Sequence, residues 1–299
     1  MYQQRIEYRG RQVSYRKTGS GPAVVLLHGF GEDSTIWQNQ YNIFPDHLLI
    51  IPDLPGSGAS EMTEDMSMEG LADAVLSVLD AEEVSKCILI GHSMGGYIGL
   101  AFAERYLDRL NGFGLFHSTA FADTEEKKEA RRKGIAFIEK NGAAAFLKSS
   151  VPNLYWTSPQ PLPKCRDKFS TGGEGLVTSS RTLPTGREGL MDYSTKRLVE
   201  QHLASVSCIK DETLISYYQS MIARPERVNI LEKSTVPVLF VLGQYDNAVP
   251  LSDGLRQCHL PQLSQVELLK EAGHMGMVEM VEAANECLKM FVSITRESN

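Results

Sequence analysis

The sequence lacks long apolar runs, a surplus of positive charge and any regular cysteine spacing, and each absence excludes a class of protein. Without a run of about 18 apolar residues we expect no membrane span, and the first residues, MYQQRIEYRG, lack the apolar centre of a secretory signal. The formal charge of −7 argues against a nucleic-acid partner, because phosphates are bound by basic faces. The five cysteines form no C-x-x-C pair, so we expect free thiols in a reducing cytoplasm and no metal site.

The 299 residues suffice for one large domain with an insertion, and their apolar positions show two alternating patterns. Apolar runs typical of buried parallel strands occupy 23–27, 47–51, 86–90, 110–116 and 237–242, with a more alternating run at 264–269 that indicates an edge strand. Helical patterns occupy 67–79, 94–107 and 275–292. The alternation predicts the α/β class, with a mostly parallel central sheet flanked by helices. Residues 1–17 predict a half-buried β-hairpin before this sheet.

This alternation stops between residues 120 and 235, where charged and amphipathic helical stretches replace the buried strands. We interpret 120–235 as an inserted, mainly helical cap, and 1–119 with 236–299 as the core. Inside the cap, residues 157–190 are rich in Gly, Pro, Ser and Thr, a composition typical of loops. Whether that stretch is a lid or an added loop stays open.

The strongest local motif is Gly91-His92-Ser93-Met94-Gly95, a G-x-S-x-G pattern between a predicted strand and a predicted helix. A sharp turn of this kind exposes a serine oxygen at the end of a sheet, with the helix N-terminus beside it. Serine is a poor nucleophile without a base. We therefore predict Ser93 as a nucleophile that needs a histidine.

His274 is the candidate base, because it follows the last predicted strand between glycines that let a loop carry its ring. Asp246, just after the strand at 237–242, is the candidate acid that would orient this imidazole. On its own Asp246 could equally be a turn residue, but the order Ser93, Asp246, His274 is that of α/β-hydrolases. We expect His47, His202 and His259, which lie in polar segments, at the surface.

A tetrahedral intermediate needs preset N–H donors, and the backbone amides of Phe30 and Met94 are the candidate oxyanion hole. The residues that we expect to line the pocket around this centre are His28, Gly29, His92, His117 and Trp156. Of these, His28 is expected to shape the turn beside the oxyanion hole, and His92 to direct its side chain away from Ser93. The aromatic residues of the cap could form an apolar acyl pocket or the cap's own core.

The stretches HGFGEDSTIW, IIPDLPGSGAS, IGHSMGGYIGL, VLGQYDNAVP and EAGHMGMVE resemble the α/β-hydrolase superfamily, in its cap-bearing, esterase-like serine hydrolase branch. The resemblance covers both ends of the chain, whereas the cap is matched weakly. It implies a cofactor-free, two-step acyl transfer to water. We predict a small-molecule ester of small or medium acyl size as the substrate. It also implies that residues 53–58 form a structural turn.

Several alternatives use the same residues. Ser93 argues against the dehalogenases and epoxide hydrolases of the superfamily, which use aspartate as nucleophile. C–C bond hydrolases, thioesterases and lyases share the Ser-His-Asp triad. A positive side chain for a substrate carboxylate would favour a C–C hydrolase or a lyase, and Arg224 and Arg227 are either its sources or solvated surface arginines. A small-molecule receptor or a pseudoenzyme on the same scaffold stays open, as do the substrate and the oligomeric state.

Overall fold

The computed structural model describes residues 1–157 and 193–297. Most of the segment 157–190, singled out above for its composition, therefore lies outside the described residues. The eight strands are β1 (Tyr2–Tyr8), β2 (Arg11–Thr18), β3 (Ala23–Leu27), β4 (Leu48–Pro52), β5 (Cys87–His92), β6 (Leu110–Phe116), β7 (Val238–Gly243) and β8 (Ser264–Leu269).

The α-helices are α1 (Met68–Ala81), α2 (Met94–Tyr106), α3 (Glu125–Asn141), α4 (Ala143–Ser150), α5 (Tyr193–Ser205), α6 (Asp211–Ala223), α7 (Val228–Glu232), α8 (Leu251–Gln257), α9 (Gly276–Glu279) and α10 (Val281–Glu297). Three short 3₁₀ segments occupy Ser34–Gln40, Leu107–Arg109 and Val151–Leu154. Within residues 1–157 and 193–297, none of these helices combines the length and the apolar character needed to cross a membrane.

The strands form one sheet in the order β1-β2-β4-β3-β5-β6-β7-β8. The pairs β1–β2 and β2–β4 are antiparallel, and every pair from β4 to β8 across the sheet is parallel. The mostly parallel, helix-flanked sheet confirms the predicted fold class, and β8 is the edge strand that its alternating pattern indicated. The predicted hairpin is present, but β1 is largely exposed rather than half-buried, because it lies at the other edge.

Helices cover both faces of the central strands, so those strands are apolar throughout. Every residue of β3, β5 and β7 is buried, as expected for strands of a parallel sheet that is covered on both sides. The helix α1 begins at the predicted N-cap, since the Ser67 hydroxyl accepts a hydrogen bond from the Gly70 amide at 3.0 Å.

Helices α3 to α7 lie between β6 and β7, in the part of the chain for which the sequence predicts a cap, and the described residues there contain no strand. Helices α3 and α6 pack on each other, with the Tyr218 ring against Gly134. The Tyr217 hydroxyl donates to the Pro55 carbonyl at 2.8 Å. This hydrogen bond attaches α6 to the turn that follows β4.

Candidate active site

Ser93 lies in the sharp turn between β5 and α2. Its backbone has φ 50° and ψ −113°, a conformation that costs on the order of 1–3 kcal/mol for a residue with a side chain. The flanking glycines allow the turn to close, because a Cβ on Gly91 would lie 2.1 Å from the Gly95 carbonyl oxygen. A Cβ on Gly95 would lie 2.7 Å from the His28 carbonyl oxygen. The G-x-S-x-G spacing is therefore a steric requirement of this turn.

Asp246 and His274 follow the neighbouring strands β7 and β8, and their side chains meet. The Nδ1 of His274 lies 2.8 Å from Oδ2 and 3.0 Å from Oδ1 of Asp246. Oδ1 of Asp246 also accepts the amides of Ala248 and Val249 at 2.8 Å each. The amides of the Asp246 turn thus hold the carboxylate in place, and the carboxylate orients the imidazole of His274.

Burial and charge act in opposite directions on this pair. Burial lowers the pKa of His274, but the charge of Asp246 and its hydrogen bond outweigh burial and raise that pKa above its ordinary value. Burial raises the pKa of Asp246, but His274 and His117 outweigh it and hold the pKa far below its ordinary value. Asp246 is therefore a carboxylate at neutral pH, and it stabilises a proton on His274.

One cavity of about 300 Å³ contains both Ser93 and His274 in its wall. The other lining residues are Phe30, Glu32, Tyr97, Lys127, Ala130, Arg131, Leu154, Tyr218, Met221, Asn247, Ala248 and Val249. Helices α3 and α6 thus supply the wall opposite the strand ends. The Phe30 ring stacks on Tyr218 with centroids 4.2 Å apart, so this cap aromatic lines the cavity, whereas Phe146 and Tyr217 are buried in the packing beneath.

The turn that carries the predicted oxyanion donor lies directly against Ser93. A Cβ added to Gly29 would lie 3.2 Å from the Ser93 Cβ, and the next residue in the turn is Phe30. Met94, the other predicted donor, is the first residue of α2. Both amides therefore belong to backbone segments that adjoin the serine, one at a helix N-terminus.

The five predicted pocket residues lie outside the wall of this cavity. The Nε2 of His28 accepts the Leu54 amide at 2.9 Å, so Nδ1 carries the proton and donates to the Gly29 carbonyl at 2.9 Å. His28 thus shapes the turn, in keeping with its predicted position there. Gly29 is buried under Ser93, and Trp156 stacks on Tyr245 with centroids 5.4 Å apart.

His92 is fully buried behind the serine. Its Nδ1 lies 3.0 Å from Oε2 of Glu32, and its Nε2 lies 2.9 Å from the His274 carbonyl. Both partners are acceptors, so both hydrogen bonds form only when the imidazole carries a proton on each nitrogen. Burial raises the pKa of Glu32, but the His92 charge and hydrogen bond outweigh it and lower that pKa to about 2. Through these buried contacts, His92 joins the turn after β3 to the loop of His274.

His117 ends β6 with φ 49° and is also buried. Its Nδ1 lies 3.2 Å from Oδ2 of Asp246. Gly243 and Gly276 make room for the ring, since a Cβ on them would lie 2.8 and 2.4 Å from ring atoms. Burial lowers the pKa of His117 to about 4, although Asp246 raises it, so the ring is neutral at pH 7.

Glu279 in α9 is a residue that the sequence reasoning missed. Its Oε1 accepts the Trp156 amide at 2.5 Å, and its Oε2 accepts the Gly273 and Met275 amides at 3.0 Å each. The predicted base lies between the last two, and its own amide donates to the Leu154 carbonyl at 2.6 Å. Burial raises the pKa of Glu279 to about 7 against these donors. No sequence signal predicts this contact, because it depends on how the loop folds back.

Two predicted surface histidines are instead buried, and that expectation was wrong. His202 on α5 has its Nδ1 3.2 Å from the Tyr155 hydroxyl and its Nε2 3.3 Å from the Gly31 carbonyl. His47 packs its ring 6.1 Å from that of Phe44. The polar sequence around each histidine gave no sign that other segments cover it.

Among the described residues, His117, Asp246 and His274 form the one group whose geometry could hold a metal ion, with ligand atoms within 4.8 Å of one another. The hydrogen bonds of Asp246 to His274 and to two backbone amides account for the geometry of this carboxylate without a metal.

Residues 22–280 match the family model described as alpha/beta hydrolase fold, and the chain belongs to that family. It is 24% identical to 3-oxoadipate enol-lactonase 1 of Acinetobacter baylyi, over 95% of this chain and 94% of the relative. It is 24% identical to 2-hydroxy-6-oxo-2,4-heptadienoate hydrolase of Pseudomonas putida, over 90% and 88%. A malate-bound thermophilic esterase from Thermogutta terrifontis has a similar structure, with a TM-score of 0.79, 25% identity and coverage of 98% and 99%.

Proposed function

We propose that this protein is a serine hydrolase that cleaves a carboxylic ester, including a cyclic ester, through Ser93, His274 and Asp246. The observation that carries the proposal is that Ser93 and His274 line one cavity while Asp246 occupies Nδ1 of His274. The cavity of about 300 Å³ favours a small or medium acyl group, because drug-sized ligands need pockets of roughly this size or larger. The names of the lactonase and the esterase support the same bond type.

The chemistry follows from the hydrogen bonds of His274. Because Nδ1 donates to Asp246, Nε2 is free to take the Ser93 proton as the serine oxygen attacks the acyl carbon. The Phe30 and Met94 amides hold the oxyanion, and His274 then protonates the leaving alcohol. Water, activated by the same histidine, cleaves the acyl-enzyme, and residues 120–235 act as a cap that excludes bulk water during these steps.

C–C bond hydrolysis is the second candidate function, since a relative 24% identical along most of both chains is a hydrolase of a dienoate. This reaction would use Ser93, His274 and Asp246 to cleave a carbon–carbon bond instead of an ester bond. Activity on a vinylogous 1,5-diketone acid with no activity on any ester would favour it.

The test is hydrolysis of p-nitrophenyl esters from acetate to long acyl chains, with Ser93→Ala as the variant. We expect kcat/KM to fall roughly 10³- to 10⁶-fold, with an unchanged circular dichroism spectrum. Ser207→Ala, at an exposed serine on the surface, is the matched control and should keep full activity.

Full ester hydrolysis by a clean Ser93→Ala preparation would refute the assignment. Labelling of Ser93 by a fluorophosphonate without ester turnover would show that Ser93 is a reactive nucleophile. C–C or thioester compounds would then be the candidate substrates. Ligand binding with neither labelling nor turnover would identify a receptor or a pseudoenzyme.

A further inference from the structure

Two cations of α3 line the same cavity as Ser93 and His274. Lys127 and Arg131 are four residues apart, so they lie on one face of the helix, and both belong to the cavity wall. The side chain of Lys127 is 35% exposed and that of Arg131 is 19% exposed. Two positive side chains therefore line the cavity in which we place the substrate, and the question is which negative charges balance them.

Arg131 is held rigidly in place. Its Nε donates to Oδ2 of Asp123 at 2.5 Å and its Nη2 to Oδ1 at 3.3 Å, while its guanidinium carbon lies 5.6 Å from the centre of the Tyr218 ring. Asp123 also accepts from Arg224 at 2.8 Å. One carboxylate therefore serves two guanidinium groups, and it cannot neutralise both.

Lys127 is more loosely paired. Its Nζ lies 3.6 Å from Oδ2 of Asp253, which is beyond the range of a hydrogen bond. The three cations Lys127, Arg131 and Arg224 thus face the two carboxylates Asp123 and Asp253, and one positive charge is left over.

At the opposite end of the cavity, both carboxylates already have a histidine partner, since Glu32 contacts His92 and Asp246 contacts His274. Glu32 lines the cavity, and its Oε2 accepts the Gly29 amide at 2.6 Å beside Ser93. Asp246 lies behind His274. This end therefore offers a substrate anion no unpaired cation, whereas an anion at the α3 end would be attracted by the positive charge that is left over there. The charges therefore orient a substrate that has one neutral reacting end and one anionic end.

The arginines that the sequence offered for this role have other partners. Arg224 donates to Asp123 and to the Phe121 carbonyl, and its guanidinium carbon lies 3.8 Å from the centre of the Tyr97 ring. Arg227 pairs with Glu69 and Glu104. Neither belongs to the cavity wall, so the positive charge of the cavity comes from α3.

We propose that Lys127 and Arg131 form a subsite for a carboxylate that the substrate carries away from its scissile bond. The subsite rests on the proposed function, because it shares the cavity of Ser93. The substrate is then a monoanionic ester or lactone whose carbonyl reaches Ser93 while its carboxylate reaches α3. Arg131, whose Nε and Nη2 are held by Asp123, provides a fixed positive charge for the carboxylate, and Lys127 provides a second one.

The test compares matched pairs of esters that differ only in charge. One pair is 4-acetoxybenzoate and 4-acetoxybenzamide, with the anion on the alcohol side, and the other is monomethyl adipate and its terminal amide, with the anion on the acyl side. We expect kcat/KM to be at least about tenfold higher for the anion than for the amide in one of these pairs, mainly through KM, and the pair that responds identifies the side.

Lys127→Gln should reduce that anion-to-amide ratio several-fold, and Lys127→Arg should largely restore it. Lys128→Gln is the matched control, since Lys128 is the neighbouring lysine of the same helix, pairs with Glu125 and lies outside the cavity wall. It should leave the ratio unchanged, which separates a local subsite from a general effect of net charge.

Equal kcat/KM for anion and amide in both pairs, with no effect of Lys127→Gln on the ratio, would overturn the subsite while ester hydrolysis itself stands. If no ester is cleaved, the proposed function fails instead, and binding provides a separate test. In that case 4-hydroxybenzoate, but not 4-hydroxybenzamide, should raise the melting temperature of the wild type, and Lys127→Gln should weaken the rise. No difference between these two ligands would overturn the subsite there as well.

Discussion

At the scale of single residues, the pKa of His274 governs the predicted pH dependence. The neutral imidazole is the base, so activity is present above this pKa and is lost as the pH falls through it. Because the net shift is upward, kcat/KM should rise with pH through an inflection above the ordinary histidine value of about 6.5.

Asp246→Asn should move this inflection downward. The variant removes the charge that raises the pKa of His274 and leaves burial, which lowers it. Because Oδ1 accepts the Ala248 and Val249 amides, the new NH₂ group takes the place of the oxygen that accepts from Nδ1 of His274, and the tautomer is no longer fixed. We therefore expect kcat/KM to fall on the order of 10³- to 10⁴-fold. The pH profile of kcat/KM for both proteins is the measurement, and an inflection that stays in place in the variant would contradict the proposed pairing.

Residue chemistry was predictable from the sequence where a local motif carries it. The turn at Ser93 needs small neighbouring residues, so a motif of five consecutive residues is enough to predict it. The partners of His92 cannot be predicted from a local motif, since Glu32 and His274 lie 60 and 182 positions away in the chain. Lys127 and Arg131 look like any charged face of an exposed helix until the fold brings that face over Ser93.

At the scale of elements, one carboxylate ties three backbone segments together. Glu279, at the end of α9, accepts amides on both sides of His274 and the amide of Trp156. Glu279→Gln replaces one acceptor oxygen by a donor, so at least one buried N–H loses its partner. We expect the free energy of unfolding to fall by about 1–3 kcal/mol, together with a lower kcat.

Urea denaturation of Glu279→Gln against wild type measures this loss. Glu282→Gln changes the same group at an exposed position one turn further on, and it should be close to neutral. Equal stability of the two variants would mean that the carboxylate does not hold the loop of His274.

The elements themselves were predictable to differing degrees. The buried strands have continuous apolar runs, and the structure has strands at all of these positions. The exposure of β1 was not predictable, because an alternating strand reads the same whether or not a helix covers it. The contact between α3 and α6 depends on tertiary packing, which neither helix encodes in its own periodicity.

At the scale of the whole molecule, the helices between β6 and β7 share their apolar packing with the rest of the chain. Ile138, Phe146 and Leu214 belong to the apolar cluster on one face of the sheet, and Tyr217 and Met221 to the cluster on the other. Neither cluster is complete without these helices. The helices and the sheet should therefore unfold together.

The two tryptophans of the chain allow a direct test of this cooperativity. Trp37 is fully buried in the core and Trp156 lies in the predicted cap, stacked on Tyr245. Trp37→Phe leaves Trp156 as the only tryptophan reporter, and Trp156→Phe leaves Trp37. In each variant, the urea transition followed by fluorescence should coincide with that followed by far-ultraviolet circular dichroism, as for a two-state unit.

In each variant, the fluorescence transition is compared with the dichroism transition of the same protein. The loss of stability caused by the substitution, which is larger at the buried Trp37, then affects both transitions equally. A Trp156 transition at a lower urea concentration than the dichroism of the same protein would show that the cap separates first. Since Trp156 donates its amide to Glu279, such early separation would also release the loop of His274. Activity would then be lost with the Trp156 signal, whereas a cooperative molecule loses activity only with the sheet.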